Sequence, residues 1–343
     1  MLKWLIGVVL LVVVGIIIYI NKPPPGGYFK PEAITLTEQG EYKILVDAQL
    51  KFIDANKEVW TAPKGTLTDG ATVPRLVLPV TDGRWHPGFL KAAVVHDAYC
   101  QEENAERTPH QYQSRSWRDV HRMFFEACIV GGTDPSIAKL MYAAVFFGGP
   151  RWGDPKHELT ELPAEMLVRG FSGTKEWIQE KNPSVEEIEA YFDKREPVLK
   201  RLYRLETDVN SAISRGDINE ARRLIGNQEA VIKKQIEKSP NDSMLQIFNG
   251  HLYKNRAEIY RIERIEEKAN EDLIRSEAIF EKVIETQPRD PSALAGLSYV
   301  SMKRGDLERA EVLAREAITV APEYETAKKD LKRIEDLRIE RRR

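Results

Sequence analysis

The sequence predicts a small α+β domain, a hairpin plus three helices, followed by an all-α solenoid of helix pairs, with a single N-terminal transmembrane helix ahead of both. Three observations carry this prediction. Residues 4–20 form one uncharged apolar run, residues 41–152 show strand-like and then capped helical patterns, and beyond residue 205 long amphipathic stretches are punctuated by Gly-Asp and Pro. A length of 343 residues suits about two domains. The boundaries read as 1–21 for the anchor, 22–40 for a linker, 41–152 for the α+β domain, 153–204 for a helical connector and 205–343 for the solenoid.

"WLIGVVLLVVVGIIIYI", Trp4 to Ile20, has 17 uncharged residues, at the lower limit of the ~17–25 that a spanning helix needs. Lys3 and Lys22 bracket it, and Trp4 and Tyr19 stand where interfacial aromatics belong. A cleaved signal peptide is the rival reading. Its apolar core usually has ~7–15 residues and ends in small residues, whereas this run continues as "IIIYINKPPP". An uncleaved anchor is therefore expected, in a bacterial inner membrane with the body outside the cytoplasm. Basic residues flank the run almost equally, so orientation is only weakly encoded. "KPPPGG", residues 22–27, would lift the rest of the chain off the bilayer.

"EYKILVDAQLKFID" (41–54) and "EVWTAPKGTL" (58–67), separated by "ANK", read as a hairpin. "TDGATVPR", Thr68 to Arg75, is turn chemistry ended by Pro74. The first helix begins near His86 with Pro87 in its first turn and runs to about Glu103. The second opens on a capping box of Ser116 and Asp119 and stops at Gly131-Gly132. The third opens on Asp134-Pro135 and stops at Gly148-Gly149.

The connector carries short helices. Beyond it, "PSALAGLSYVSMKRGDLERAEVLAREAITVAPEY" has Leu294, Leu297, Gly305-Asp306, Ala310, Ala317 and Pro322 at tetratricopeptide offsets. Gly250, Tyr253, Phe280 and Pro288 mark an earlier unit, lengthened by "EIYRIERIEEKANEDL", and Gly216-Asp217 with Ala221 a third. A long coiled coil is the rival, and the regular Gly-Asp and Pro punctuation argues against it. The repeat offsets place His251, Lys254, Tyr299, Met302 and Lys303 on the groove-facing side of the first helices. A protein or peptide partner with apolar anchors and some acidic character is expected there. The formal net charge of −2 gives no signature of nucleic-acid binding.

The chemistry-bearing stretch is "KAAVVHDAYC", residues 91–100. Phe89, Ala92, Ala93, His96, Tyr99 and Cys100 share one helical stripe, and Trp117, His121, Phe124, Phe125 and Cys128 share another. His96 and His121 therefore both point inward if the two helices pack together. Asp97 lies ~100° round from His96, where a ligand for an ion or substrate could reach solvent. The bland alternative is a satisfied core histidine beside a hydrogen-bonded aspartate. Cys100 and Cys128 read as small apolar fillers that do not pair with each other. Asp69 is a turn residue first and a site residue second.

"TDGATVPR", "AAVVHDAYC", "HRMFFEA" and "LMYAAVFFGG", in that order, resemble the pattern TDGxSxPR, HDxxY, DxxF and MYxAV. That pattern belongs to a small family of phage and bacterial domains without an assigned activity, domain-of-unknown-function family 1353. The resemblance covers about 43–152 and departs at His121, where the family has aspartate. HDxxY is also similar to the helix motif of phospholipase A2 enzymes. That likeness implies His96 as general base on water, Asp97 as a calcium ligand and His121 in the position that orients the imidazole. Asp69, Arg75 and Tyr99 would supply the loop and substrate contacts. The dense disulfides and glycine-rich calcium loop of the secreted enzymes are absent. A metal phosphohydrolase using His86, His96 and Asp97 is a third alternative, with unusually short spacing.

The function expected is that of a membrane-anchored protein that binds a partner through its solenoid and carries a metal-assisted ester hydrolase. The competing class is a non-catalytic membrane-tethered adaptor or phage or envelope assembly factor, with His96 and Asp97 structural.

Overall fold

The computed structural model describes residues 26–38, 43–70, 85–154 and 162–342. The predicted membrane segment Trp4–Ile20 lies outside them, and among the described residues no helix is long and apolar enough to cross a membrane. Two compact units result, one of residues 26–70 and 85–138 and one of residues 139–154 and 162–342.

Among the described residues the first unit begins with six short strands, not one hairpin. Strands β1 (Tyr28–Lys30), β4 (Leu50–Ile53) and β5 (Val59–Ala62) form one antiparallel sheet in the order β1-β4-β5. Strands β2 (Leu36–Glu38), β3 (Ile44–Val46) and β6 (Leu67–Thr68) form another in the order β2-β3-β6. The predicted β4–β5 hairpin is present, with Phe52 opposite Trp60. Its turn is built by Asp54, whose carboxylate accepts from the N–H of Asn56 and Glu58 at 2.8 and 2.9 Å and from the Trp60 indole at 3.0 Å. The stretch 41–54 does not stay one strand because the chain breaks at Asp47. There the carboxylate accepts from Thr37 Oγ1 and the N–H bonds to the Thr35 carbonyl. The predicted linker likewise ends early: Phe29 of β1 is buried against Phe52, ring centroids 5.1 Å apart.

Helices α1 (Pro87–Cys100), α2 (Asn104–Arg107) and α3 (Trp117–Val130) complete this unit, with α4 (Pro135–Gly148) starting in it. Helix α1 is capped by the His86 side chain, which accepts from the Gly88 N–H, and ends three residues before the predicted Glu103. Helix α3 has the predicted cap, with Ser116 Oγ accepting from the Asp119 N–H at 3.1 Å. α1 and α3 pack closely: a Cβ on Gly131 would stand 2.1 Å from the Gly88 carbonyl oxygen. Asp134 caps α4 as expected, accepting from the N–H of Ser136 and Ile137.

From Lys139 onward α4 groups with the second unit, upstream of the boundary expected at residue 152. Tyr142 of α4 donates to Glu189 at 2.5 Å, and Phe147 stacks on Phe192 at 4.6 Å. This unit continues as α5 (Ala164–Phe171), α6 (Thr174–Lys181), α7 (Val185–Ser214), α8 (Ile218–Ile236), α9 (Ser243–Ile262), α10 (Glu266–Thr286), α11 (Pro291–Lys303), α12 (Leu307–Val320) and α13 (Glu325–Arg342). Helix α7 runs straight through Pro197, where short helices were expected. A mid-helix proline costs about 3 kcal/mol, and dense anchoring on either side offsets it. Arg195 donates to the carbonyls of Gly170 and Ser172, and Glu196 pairs with Arg151 and Lys200 at 2.8 Å.

Consecutive helices from α7 to α13 pack on one another, and α7, α9, α11 and α13 also touch in succession. The Gly-Asp turns form as predicted. Gly216 and Gly305 have φ of +75° and +89°, and the aspartates after them cap α8 and α12. Phe280 of α10 packs between α9 and α11 because Gly250 and Gly296 have no side chains to block it; Cβ atoms there would lie 2.6 and 2.4 Å from its ring.

Candidate functional site

The polar centre of the first unit is where α1 faces α3. Residues 96, 97 and 100 lie within little more than one turn of α1, and His121 projects from α3. The predicted inward pairing of the histidines is present: His96 Nε2 lies 2.9 Å from His121 Nδ1, with ring centroids 5.1 Å apart. His121 is fully buried, and Trp117 lies edge-on to it. On the other side of the ring, His96 Nδ1 is 3.5 Å from Asp97 Oδ1 and 3.3 Å from Cys100 Sγ. Either imidazole can donate across the 2.9 Å contact. When His96 donates from Nε2, its Nδ1 lone pair is on the Asp97 side, and Cys100 Sγ, 3.7 Å from Nε2, lies over the ring.

Asp97 is held from two directions. Thr68 Oγ1 donates to its Oδ2 at 2.5 Å, and the Asn104 amide donates to its backbone carbonyl at 2.8 Å while bonding both polar groups of Leu67. Burial pushes the Asp97 carboxyl above its ordinary value, the Asp69 charge adds to this, and the bonds from His96 and Thr68 oppose it. Burial, with Asp97 and Asp69 behind it, pushes the Cys100 thiol well up. The Cys100–His96 contact therefore lacks the electropositive surroundings that would make a thiolate nucleophile.

His96, Asp97 and Cys100 each offer one donor atom to a common space, the three atoms lying within 4.8 Å of one another. That set does not fit the expected calcium, which takes six to eight oxygen ligands. It offers one nitrogen, one sulfur and one carboxylate, and the second Asp97 oxygen is occupied by Thr68.

The remaining expectations divide. Asp69 lies beside the centre and acts electrostatically on Asp97. Arg75 is outside the described residues. Tyr99 is not a substrate contact: its hydroxyl accepts from the Thr61 N–H at 3.1 Å and its ring meets Trp60 edge-on, tying α1 to β5. His86 spends its Nδ1 on the α1 cap, which removes it from a phosphohydrolase ligand set. Cys100, read from sequence as a filler, is a member of the centre; its i+4 spacing from His96 was the available signal. Thr68 and Asn104 were not singled out, and their partners lie 29 and 37 residues away.

The residues expected along the open groove of the solenoid are largely covered. Helix α5 lies on the face made by α7, α9 and α11. Its Arg169 pairs with Glu206 at 2.6 Å and stacks on Phe248, while Glu165 accepts from Thr326. His251 is buried, and both its ring nitrogens lack a partner among the described residues. Met302 is buried with Leu307, Ala310, Ala314 and Ile334, facing the core and not a groove. Lys303 and Tyr299 both bond to Glu258, and Lys254 lies over the Tyr299 ring at 4.8 Å.

The family described as "Protein of unknown function (DUF1353)" matches residues 44–145 of this chain. Two curated relatives from Sinorhizobium fredii (strain NBRC 101917 / NGR234) align with part of it. The uncharacterized protein y4iH is 36% identical over 109 residues, which is 32% of this chain and 41% of that protein. The uncharacterized protein y4jT is 35% identical over 125 residues, 36% of this chain and 34% of that protein. The chain thus spans less than half the length of either relative. No solved structure matches. The resemblance read from the four motifs stands for residues 44–145, the segment that contains the His96–Asp97 centre.

Proposed function

We propose that the protein is a membrane-tethered scaffold whose first unit performs metal-assisted hydrolysis of an ester in a lipid or cell envelope. Its helical solenoid, tetratricopeptide-like in its Gly-Asp turns and small-residue contacts, binds a protein partner. One observation carries the hydrolytic reading: His96 Nδ1 and Asp97 Oδ1 converge at 3.5 Å while His121 holds the opposite ring nitrogen at 2.9 Å. An imidazole oriented from behind, with a carboxylate beside its other nitrogen, is the arrangement that water activation near a cation requires. The test is hydrolysis of phospholipid and short-chain esters by purified full-length protein, with and without divalent cations. His96→Gln and Asp97→Asn should abolish turnover with far-ultraviolet circular dichroism unchanged. Full activity in both variants would end this reading.

A second reading is favoured by the burial of the centre and by Thr68 and Asn104, which satisfy Asp97 from within the chain. Here His96–Asp97 is a packing motif of an adaptor. The same two variants would then lose ~1–3 kcal/mol of stability for a broken buried hydrogen bond, and no cation would shift the melt.

For the solenoid, the α5-covered face implies that a partner engages it only when α5 withdraws. A pull-down in which deletion of residues 205–343 leaves every partner bound counts against partner recognition. The anchor is supported by the uncharged run Trp4–Ile20. Full-length protein should resist alkaline carbonate extraction, and a mature N-terminus between residues 20 and 30 by mass spectrometry would refute anchoring.

A further inference from the structure

We propose that His96 Nδ1, Asp97 Oδ1 and Cys100 Sγ form a three-ligand site for a zinc-class divalent cation, with His121 holding the other nitrogen of the ligating imidazole. This deepens the hydrolytic reading above and rests on it for the purpose of the ion, though not for its binding; with Nδ1 ligating, the ion-bound water takes over the activation assigned there to the imidazole. Tetrahedral zinc with nitrogen at ~2.0–2.1 Å and sulfur at ~2.3 Å requires its donor atoms to stand roughly 3.4–3.6 Å apart. His96 Nδ1 is 3.3 Å from Cys100 Sγ and 3.5 Å from Asp97 Oδ1. Cys100 Sγ also lies 3.7 Å from His96 Nε2, so the sulfur stands over the face of the ring and off the Nδ1 lone-pair direction. Ligation therefore requires a change of the Cys100 side-chain rotamer that carries the sulfur to the Nδ1 side of the ring.

One imidazole, one thiolate and one carboxylate suit a borderline-soft ion, whereas calcium and magnesium select oxygen alone. Three protein ligands leave the fourth position for water, the composition of a hydrolytic zinc site and not of a closed structural one. Metal-bound histidines regularly donate their other N–H to an acceptor that fixes ring and tautomer. His121 Nδ1 stands 2.9 Å from His96 Nε2 and fills that place. Thr68, donating at 2.5 Å to Asp97 Oδ2, leaves Oδ1 for the ion. Balance is simple: the ion binds as the Cys100 thiol gives its proton to solvent, with no electron transfer.

The experiment loads cobalt(II), as a spectroscopic stand-in for zinc, into reduced full-length protein in detergent, and measures zinc stoichiometry by elemental analysis. One equivalent of zinc and a thiolate-to-cobalt charge-transfer band in the near ultraviolet are expected. The band should vanish in Cys100→Ser and persist in Cys128→Ser, the control for the other buried thiol. Asp97→Asn should weaken zinc binding strongly, and His121→Ala about 10–100-fold, the usual loss when the group holding a ligating imidazole is removed. Absence of zinc binding, or cobalt binding without the thiolate band in the parent, would overturn the site. The parent spectrum decides this even where a variant fails to fold. Bound zinc without ester turnover would sink the hydrolytic reading alone, and turnover by metal-free protein would sink the ion's part in hydrolysis while the parent cobalt spectrum still decides the site.

Discussion

Replacing Thr68 by valine isolates the bond that holds Asp97. Thr68 is fully buried, and its hydroxyl donates to Asp97 Oδ2 at 2.5 Å while accepting from the Gly70 N–H at 3.0 Å. A bond to a charged acceptor contributes about 1.5–3 kcal/mol and a neutral one about 0.5–1.5. The extra buried methyl of valine returns about 0.8, so the net loss with Asp97 ionised should be about 1–4 kcal/mol. The loss should also depend on pH. Because burial raises the folded-state pKa of Asp97, its favourable contribution is complete below the unfolded value of 3.8 and is lost as pH rises through the folded one. The Thr68 bond offsets part of that penalty, so the valine deficit should grow from pH 4 to pH 8. Urea unfolding of parent and variant across this range gives the deficit, and peptide-resolved hydrogen exchange assigns it to residues 87–130. A double-mutant cycle with Asp97→Asn should show coupling of about 1–3 kcal/mol. A deficit under about 0.5 kcal/mol, or strict additivity in that cycle, would refute the idea that Thr68 orients an ionised Asp97.

In the second unit, Gly296→Ala should cost about 1–3 kcal/mol by overpacking, because the Phe280 ring is also closely approached from the Gly250 side. Gly226→Ala, in helix α8 with nothing within 4 Å, should instead gain about 0.5–1 kcal/mol; thermal melts showing equal effects at both positions would contradict this packing. Burial pushes Asp330 from 3.8 up to about 6, against the pull of Lys254, Arg333 and Lys303. Its ionisation therefore opposes folding, and stability should rise by about 1 kcal/mol from pH 7 to pH 5 through this group. Asp330→Asn should remove that increment, and an unchanged pH slope in the variant would exclude Asp330 as its source.

Features set by residues close in sequence were legible before the structure. The caps at Ser116 and Asp134 and the turns at Gly216-Asp217 and Gly305-Asp306 stand where their local chemistry put them. So does the inward pairing of His96 with His121, which follows from helical periodicity on two neighbouring helices. What escaped depends on distant partners or short elements. Three-residue strands at Tyr28–Lys30 and Leu36–Glu38 are too brief to show alternation. Nothing in "AEMLVRGF" says that α5 will lie on the solenoid, because Arg169 finds its partner Glu206 on another helix. The turn between α9 and α10 hid for another reason: Arg264, with φ of +61°, occupies a position where glycine is the usual signal.

His121 stands where the DxxF motif that this stretch resembles has aspartate, and the geometry explains how histidine can serve there. Nδ1 of histidine and Oδ1 of aspartate are both two bonds beyond Cβ, so either side chain can present an acceptor at the same depth to His96 Nε2. His121→Asp should therefore keep the 2.9 Å contact while replacing a neutral acceptor by an anionic one. An anionic acceptor strengthens the hydrogen bond from Nε2 roughly twofold and makes the imidazole a more basic ligand. Zinc affinity, and hydrolysis if the centre is catalytic, should hold or rise. Stability should fall, because the position is fully buried, the outer half of the ring leaves a cavity beside Trp117, and a carboxylate there has to be desolvated. His121→Asn separates the terms: it offers the same acceptor position without charge, so it should share the cavity cost and show no gain in affinity. Measuring zinc affinity and urea stability for the three proteins places each on two axes. If aspartate and asparagine bind zinc equally, the acceptor's charge does not reach the ion through His96, and the role of residue 121 behind the ligating imidazole fails.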